Sequence, residues 1–127
     1  MAKIRAFTTI EESRKLAEIL PLESADMIYT MVNGRCTPFI RIETIEEMDE
    51  DDVLCWSLAA LLEQLPYELC DDDGNSSYLQ INKEGDMYQL AYEDPYGDFE
   101  SIETDRQAHF VDACYDLIIK LHKLNLL

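Results

Sequence analysis

Asp71, Asp73 and Asn75 stand at the first, third and fifth positions of a calcium-loop pattern. The pattern then breaks. Ser76 replaces the glycine of position six, and Asn82 replaces the bidentate glutamate of position twelve. The segment therefore reads as a turn with solvated carboxylates. His109 and His122, the only histidines, lie 13 positions apart on one predicted helix. That spacing separates them by about 20 Å along the axis, too far to share a metal. Cys36, Cys55, Cys70 and Cys114 include no CxxC pair, so they are expected to be buried free thiols. Catalysis by Cys114 or His109 needs a meeting through space that no spacing predicts. The many carboxylates share one solvated environment, whereas an acid–base pair needs two different ones. The four glycines fall singly at turns, which gives no phosphate cradle. No catalytic, cofactor-binding or metal-binding residue is assigned, no cofactor is expected, and the chain does not read as an enzyme.

Tyr67, Tyr78, Tyr88, Tyr92 and Tyr96 concentrate around a predicted hairpin. As packing residues they would fill a core. Exposed and ringed by acid, they suit a protein interface, where aromatic side chains dominate affinity.

The charge narrows the partners. With 27 Asp and Glu against 10 Lys and Arg, the net charge is -17. Direct nucleic-acid binding is disfavoured, because cationic side chains supply most affinity for phosphates. Anionic membrane surfaces are disfavoured on the same grounds, and a basic protein partner is favoured. The 127 residues, 47% hydrophobic and 29% charged, suit a single globular domain spanning 1–127. No run approaches the roughly 20 apolar residues of a membrane span, and MAKIRAFTTIEES lacks a signal-peptide core. A cytoplasmic protein is expected.

The elements around these residues follow an α-β-β-α-β-β-α order, an α+β, sandwich-like fold of three helices on antiparallel hairpins. Thr8, Thr9, Glu11 and Glu12 form two overlapping capping boxes ahead of a first helix. Its face carries Ile10, Leu16, Ala17 and Leu20, and Pro21 ends it. Asn33-Gly34 predicts a hairpin over 26–42, with Met31 opposite Cys36, Met27 opposite Ile40 and Ile28 opposite Phe39. Both faces are apolar, which predicts cover on each side, while Pro38 places its strand at an edge or a break. ETIEEMDEDD, residues 43–52, predicts a solvated loop or the start of a short helix. Asp52 then caps a second helix bearing Leu54, Leu58, Leu61, Leu62 and Leu65, ended by Pro66. A second hairpin turns at Glu84-Gly85, setting Ile81 opposite Tyr88, Leu79 opposite Leu90 and Ser77 opposite Tyr92. A short strand is expected near Phe99–Glu103. The last helix carries Phe110, Ala113, Cys114, Leu117, Leu121 and Leu124, widened by Val111 and Ile118. Segments 16–23 and 61–68 echo each other as helix ends before proline.

Cys55-Trp56-Ser57-Leu58-Ala59-Ala60-Leu61-Leu62, the hairpin strands, and Val111-Asp112-Ala113-Cys114-Tyr115 through Lys120-Leu121 resemble small phage, prophage and mobile-element proteins of gut bacteria. Over residues 54–124 they are similar to the phage ABA-sandwich domain. The resemblance implies a Trp-bearing helix and an Ala-rich closing helix flanking a sheet, and it implies no activity. The expectation is a non-enzymatic accessory protein of a phage or mobile element acting through protein contact. The alternatives are an acidic nucleic-acid mimic that inhibits a host DNA- or RNA-binding protein, and a small enzyme with an unrecognised site.

Overall fold

Thr9 starts the first helix as its spacing predicts. Its hydroxyl accepts the Glu12 N–H at 3.1 Å, and the Glu12 carboxylate accepts the Thr9 N–H at 2.9 Å. In the computed structural model, which describes residues 5–32, 34–42, 45–98 and 100–127, this box opens α1 (Ile10–Leu16). The helix ends earlier than Pro21. The residue before a proline avoids helical geometry, and the chain tightens beforehand through Glu18 N–H to Lys15 O and Ile19 N–H to Leu16 O. Leu16 and Leu20 are buried, but Ala17 is exposed, a correction to the predicted stripe.

The described residues form two compact units, 6–64 and 65–127 with Arg5. In the first, β1 (Met27–Val32) pairs antiparallel with β2 (Arg35–Ile40), and the three predicted pairs are all present. Asn33 lies outside the described residues; Gly34 has φ +76°. On its other side β1 meets β3 (Val53–Cys55), which places Leu54 opposite Ile28 and leaves β2, with Pro38, at the edge. Ile28 and Tyr29 point to opposite faces and both are buried, whereas Met31, Phe39 and Ile40 are exposed. Cover on both faces is thus confined to one end of the ribbon.

Leu54 was expected on the second helix, and the structure corrects this. Val53-Leu54-Cys55 is a short apolar run led by a β-branched residue, which periodicity alone cannot separate from a buried helix. The helix α2 (Leu58–Gln64) starts later, so Trp56 precedes it, and Asp52 does not cap it. The Ser57 hydroxyl accepts the Ala60 N–H at 3.1 Å, and Asp26 holds Ser57 by accepting its N–H at 2.8 Å and its hydroxyl. Leu61 is buried on this helix; Leu58 and Leu62 are half-buried. Of the acidic stretch, Glu43 and Thr44 lie outside the described residues. Ile45–Glu47 makes one 3-10 turn with no buried side chain.

The second unit is built on a four-stranded antiparallel sheet. It runs β4 (Glu68–Cys70), β5 (Ser76–Glu84), β6 (Met87–Glu93) and β7 (Ile102–Glu103), in that order. The predicted hairpin is present with a slipped register: Ile81 faces Leu90, Leu79 faces Tyr92 and Lys83 faces Tyr88. Gly85, at φ +60°, takes the first of the two loop positions, the place a type II′ turn reserves for glycine. The slip is an even number of residues, so every side chain keeps its predicted face. β4 was not anticipated, and Phe99 lies outside the described residues.

The helix α3 (Phe110–Lys123) buries Val111, Ala113, Cys114, Leu117, Ile118 and Leu121, as its stripe predicts. Leu124 is exposed instead, because it stands beyond the last helical residue. Asp112 in the first turn and Lys120, His122 and Lys123 in the last match the helix dipole. Arg5 pairs with Asp112, and Tyr88 packs on Phe110 with ring centres 5.2 Å apart. The fold is α+β, and no helix among the described residues is long and apolar enough to cross a membrane.

Candidate functional site

The sheet of the second unit has two chemically different faces. Leu69, Ser77, Leu79, Leu90 and Tyr92 lie on one, with Tyr88, which touches α3. Glu68, Cys70, Ser76, Tyr78, Gln80 and Glu93 lie on the other. Strand alternation therefore sorts the tyrosines. Tyr92 is fully buried; its hydroxyl donates to the Pro66 carbonyl at 2.5 Å, and burial pushes the phenol above its usual pKa. Tyr88 is half-buried, with the Lys83 ammonium 5.5 Å from its ring centre. These two are packing residues.

The other three form a surface. Tyr67, just ahead of β4, is 76% exposed, and its ring centre lies 5.6 Å from that of Tyr78. The Glu68 carboxylate, opposite Tyr78 across the β4–β5 pair, raises the Tyr78 phenol pKa chiefly by its charge. Tyr96 is 88% exposed on the loop after β6. That loop is held by Asp94, whose carboxylate accepts the N–H groups of Tyr96 at 2.9 Å and Asp98 at 3.0 Å. Between Tyr78 and Tyr96 lies a cleft of about 240 Å³, lined also by Asn75, Asp94 and Asp98. Two rings and two carboxylates, Asp94 and Asp98, around a cleft can receive a cationic side chain by cation–π contact and charge.

The calcium-like segment borders this cleft as a turn. Asp71 accepts N–H groups from Asp73 at 3.0 Å and Asn75 at 2.8 Å, and the Asn75 side-chain amide at 3.0 Å. These bonds, led by Asn75, hold the Asp71 carboxyl below its usual pKa. Among the described residues no three His, Cys, Asp or Glu side chains converge on a metal position. His109 stands at the start of α3 and exposed His122 in its last turn. Cys55 and Cys114 are buried, but Cys36 and Cys70 are exposed, which corrects the expectation of four buried thiols. Burial pushes the Cys114 thiol up to about 12, so it is protonated at neutral pH and presents no nucleophile.

Among the described residues, two larger open clefts contain no comparable aromatic pair. One, of about 560 Å³, runs along Glu100–Glu103 and Lys120, whose ammonium donates to the Glu103 carbonyl. The other, of about 570 Å³, lies between Leu22, Met48 and the Asp49–Asp52 loop. No family model, curated protein or solved structure matches the chain.

The exposed tyrosines were in the sequence-predicted cluster, but their separation from Tyr88 and Tyr92 was not. Strand parity groups Tyr88 with Tyr92 and sets Tyr78 apart. What parity lacks is which face the last helix covers.

Proposed function

We propose that this chain is a non-enzymatic binding module whose tyrosine- and acid-bearing surface at Tyr67, Tyr78 and Tyr96 takes a basic segment of a protein partner. The single observation that supports it most is the Tyr78–Tyr96 cleft with Asp94 and Asp98 at its wall. Tyr67 and Tyr96 are large aromatic side chains left exposed, the residue type that dominates affinity where a partner covers it. The net charge of -17 draws cationic segments toward the surface, and the rings then give the contact its specificity. The resemblance of residues 54–124 to phage and mobile-element proteins supports placing the module as an accessory of such an element, in the cytoplasm of its host.

The test is an anisotropy titration of a labelled arginine-rich peptide against the wild type and a Tyr67→Ala/Tyr96→Ala variant. The proposal expects binding to weaken by at least about tenfold in the variant, whose net charge is unchanged. Equal binding by both proteins would show that charge alone attracts the peptide.

A nucleic-acid mimic is the second reading, favoured by Glu68, Glu93 and Glu103 on one face of the sheet. It predicts the opposite sensitivity. Neutralising those three to Gln would abolish inhibition of a DNA-binding protein, and the tyrosine variant would retain it.

A further inference from the structure

Residues 45–52 hold six carboxylates and two apolar side chains, Ile45 and Met48. Met48 N–H donates to Ile45 O at 3.4 Å, closing the 3-10 turn that begins the segment. Side chains three apart eclipse in that geometry, so the two apolar residues share one side of the turn. Both are half-buried, whereas Glu46, Glu47, Asp49 and Glu50 around them are exposed. The acidic stretch has an apolar inner side.

That inner side lines the open cleft of about 570 Å³ in the first unit. Ala17 at the end of α1, exposed Leu22, and Val53 and Leu54 of β3 complete the apolar lining. Asp49, Glu50, Asp51 and Asp52 line it too, against a single cation among the lining residues, Arg14. The loop is held in shape by its own bonds. The Asp52 carboxylate accepts the Asp49 N–H at 3.1 Å, and Asp52 N–H donates to Asp49 O at 3.1 Å.

We infer that this groove takes a basic amphipathic helix of a protein partner. The lining selects that occupant. Its apolar residues match the leucine stripe of such a helix, and its four carboxylates match lysines or arginines flanking the stripe. Arg14 lies on α1, so the basic flank of the helix runs beside the 49–52 loop. A second copy brings a charge of -17, and its α3 already buries its own apolar stripe. An anionic membrane is repelled by the same carboxylates. An arginine-rich segment without apolar side chains leaves the groove floor uncovered, which distinguishes this site from the tyrosine surface of the second unit.

The test is an anisotropy titration of the full chain with a labelled Leu/Lys peptide of about 18 residues, its leucines at i, i+3, i+4 and i+7. Saturable binding is expected, with a rise in peptide helicity by difference circular dichroism. Leu22→Asp, at an exposed position, should weaken binding at least about tenfold. Glu50→Gln/Asp51→Asn should weaken it at least about threefold at about 50 mM NaCl. Tyr67→Ala/Tyr96→Ala should bind this peptide as the wild type does, so failure of the tyrosine proposal leaves the result standing. Equal binding by wild type and Leu22→Asp would overturn the inference, as would binding without a gain in helix. A loss in the tyrosine variant as large as in Leu22→Asp would do the same. A wild-type dimer in sedimentation, broken by Leu22→Asp, would assign the groove to a second copy instead.

Discussion

The hydroxyl of Thr8 accepts the main-chain N–H of Trp56 at 3.2 Å, while the Thr8 main-chain N–H donates to the Trp56 carbonyl at 2.9 Å. Around this double tie, Tyr29 donates its hydroxyl to the Thr8 carbonyl at 2.6 Å, and the hydroxyls of Thr8 and Ser13 lie 2.7 Å apart. Thr8 and Trp56 are both fully buried. One threonine thus joins the start of α1, β1 and the end of β3 into a single polar knot inside the first unit.

Thr8→Val keeps the shape and removes the hydroxyl. The Trp56 N–H then has no acceptor, and a stability loss of about 1–3 kcal/mol is expected by urea unfolding. Thr8→Ser should retain most of what valine loses, since it keeps the oxygen. A valine variant as stable as the serine variant would contradict the role given to this bond.

Ser77 is the converse case. Its hydroxyl is buried on the inner face of the four-stranded sheet with no hydrogen-bond partner among the described residues. Ser77→Ala removes that orphan and is expected to leave stability unchanged or raise it by about 1 kcal/mol. A clear loss in the same unfolding assay would reveal a partner for the hydroxyl.

Thiol chemistry separates the four cysteines. Cys36 and Cys70 are exposed, and Cys55 and Cys114 are buried. A chromogenic disulfide should titrate two thiols rapidly in the native protein and the other two only on unfolding. Rapid loss of Cys114 in native buffer would show that the last helix is not packed as described.

The alkaline limb of the stability curve has a defined cause. Burial raises the Cys114 thiol from 9.0 to about 12. Between those values the unfolded chain has released this proton while the folded chain keeps it, so stability falls as pH rises. Cys55, raised by burial, and Tyr92, raised for the same reason, act in the same direction. Urea midpoints from about pH 8 to about pH 11 should decline, with a shallower slope in Cys114→Ala. An unaltered slope would assign the decline to other groups.

The sequence disclosed the elements that local rules determine. The Thr9 box, the first hairpin with its register, and the buried stripe of α3 each follow from a few adjacent residues. Where two rules competed, the reading failed. Leucine spacing matched a helix through Leu54, yet pairing with Ile28 won, and Ser57 rather than Asp52 capped α2. The second hairpin slipped because Gly85 can serve either loop position, and pattern alone does not rank the two. The candidate site was visible as a tyrosine cluster. Dividing it into buried and exposed members needed the packing of α3, a long-range fact that no window of sequence contains.

The proposed surface is tested most directly by titrating an arginine-rich peptide into isotopically labelled protein and mapping amide shifts. Saturable shifts clustered at Tyr67, Glu68, Tyr78 and 94–98, and absent from the Asp49–Asp52 loop, are the predicted result. Weak, unsaturable shifts spread over all the acidic loops would contradict it, leaving the peptide attracted by charge and held by no site.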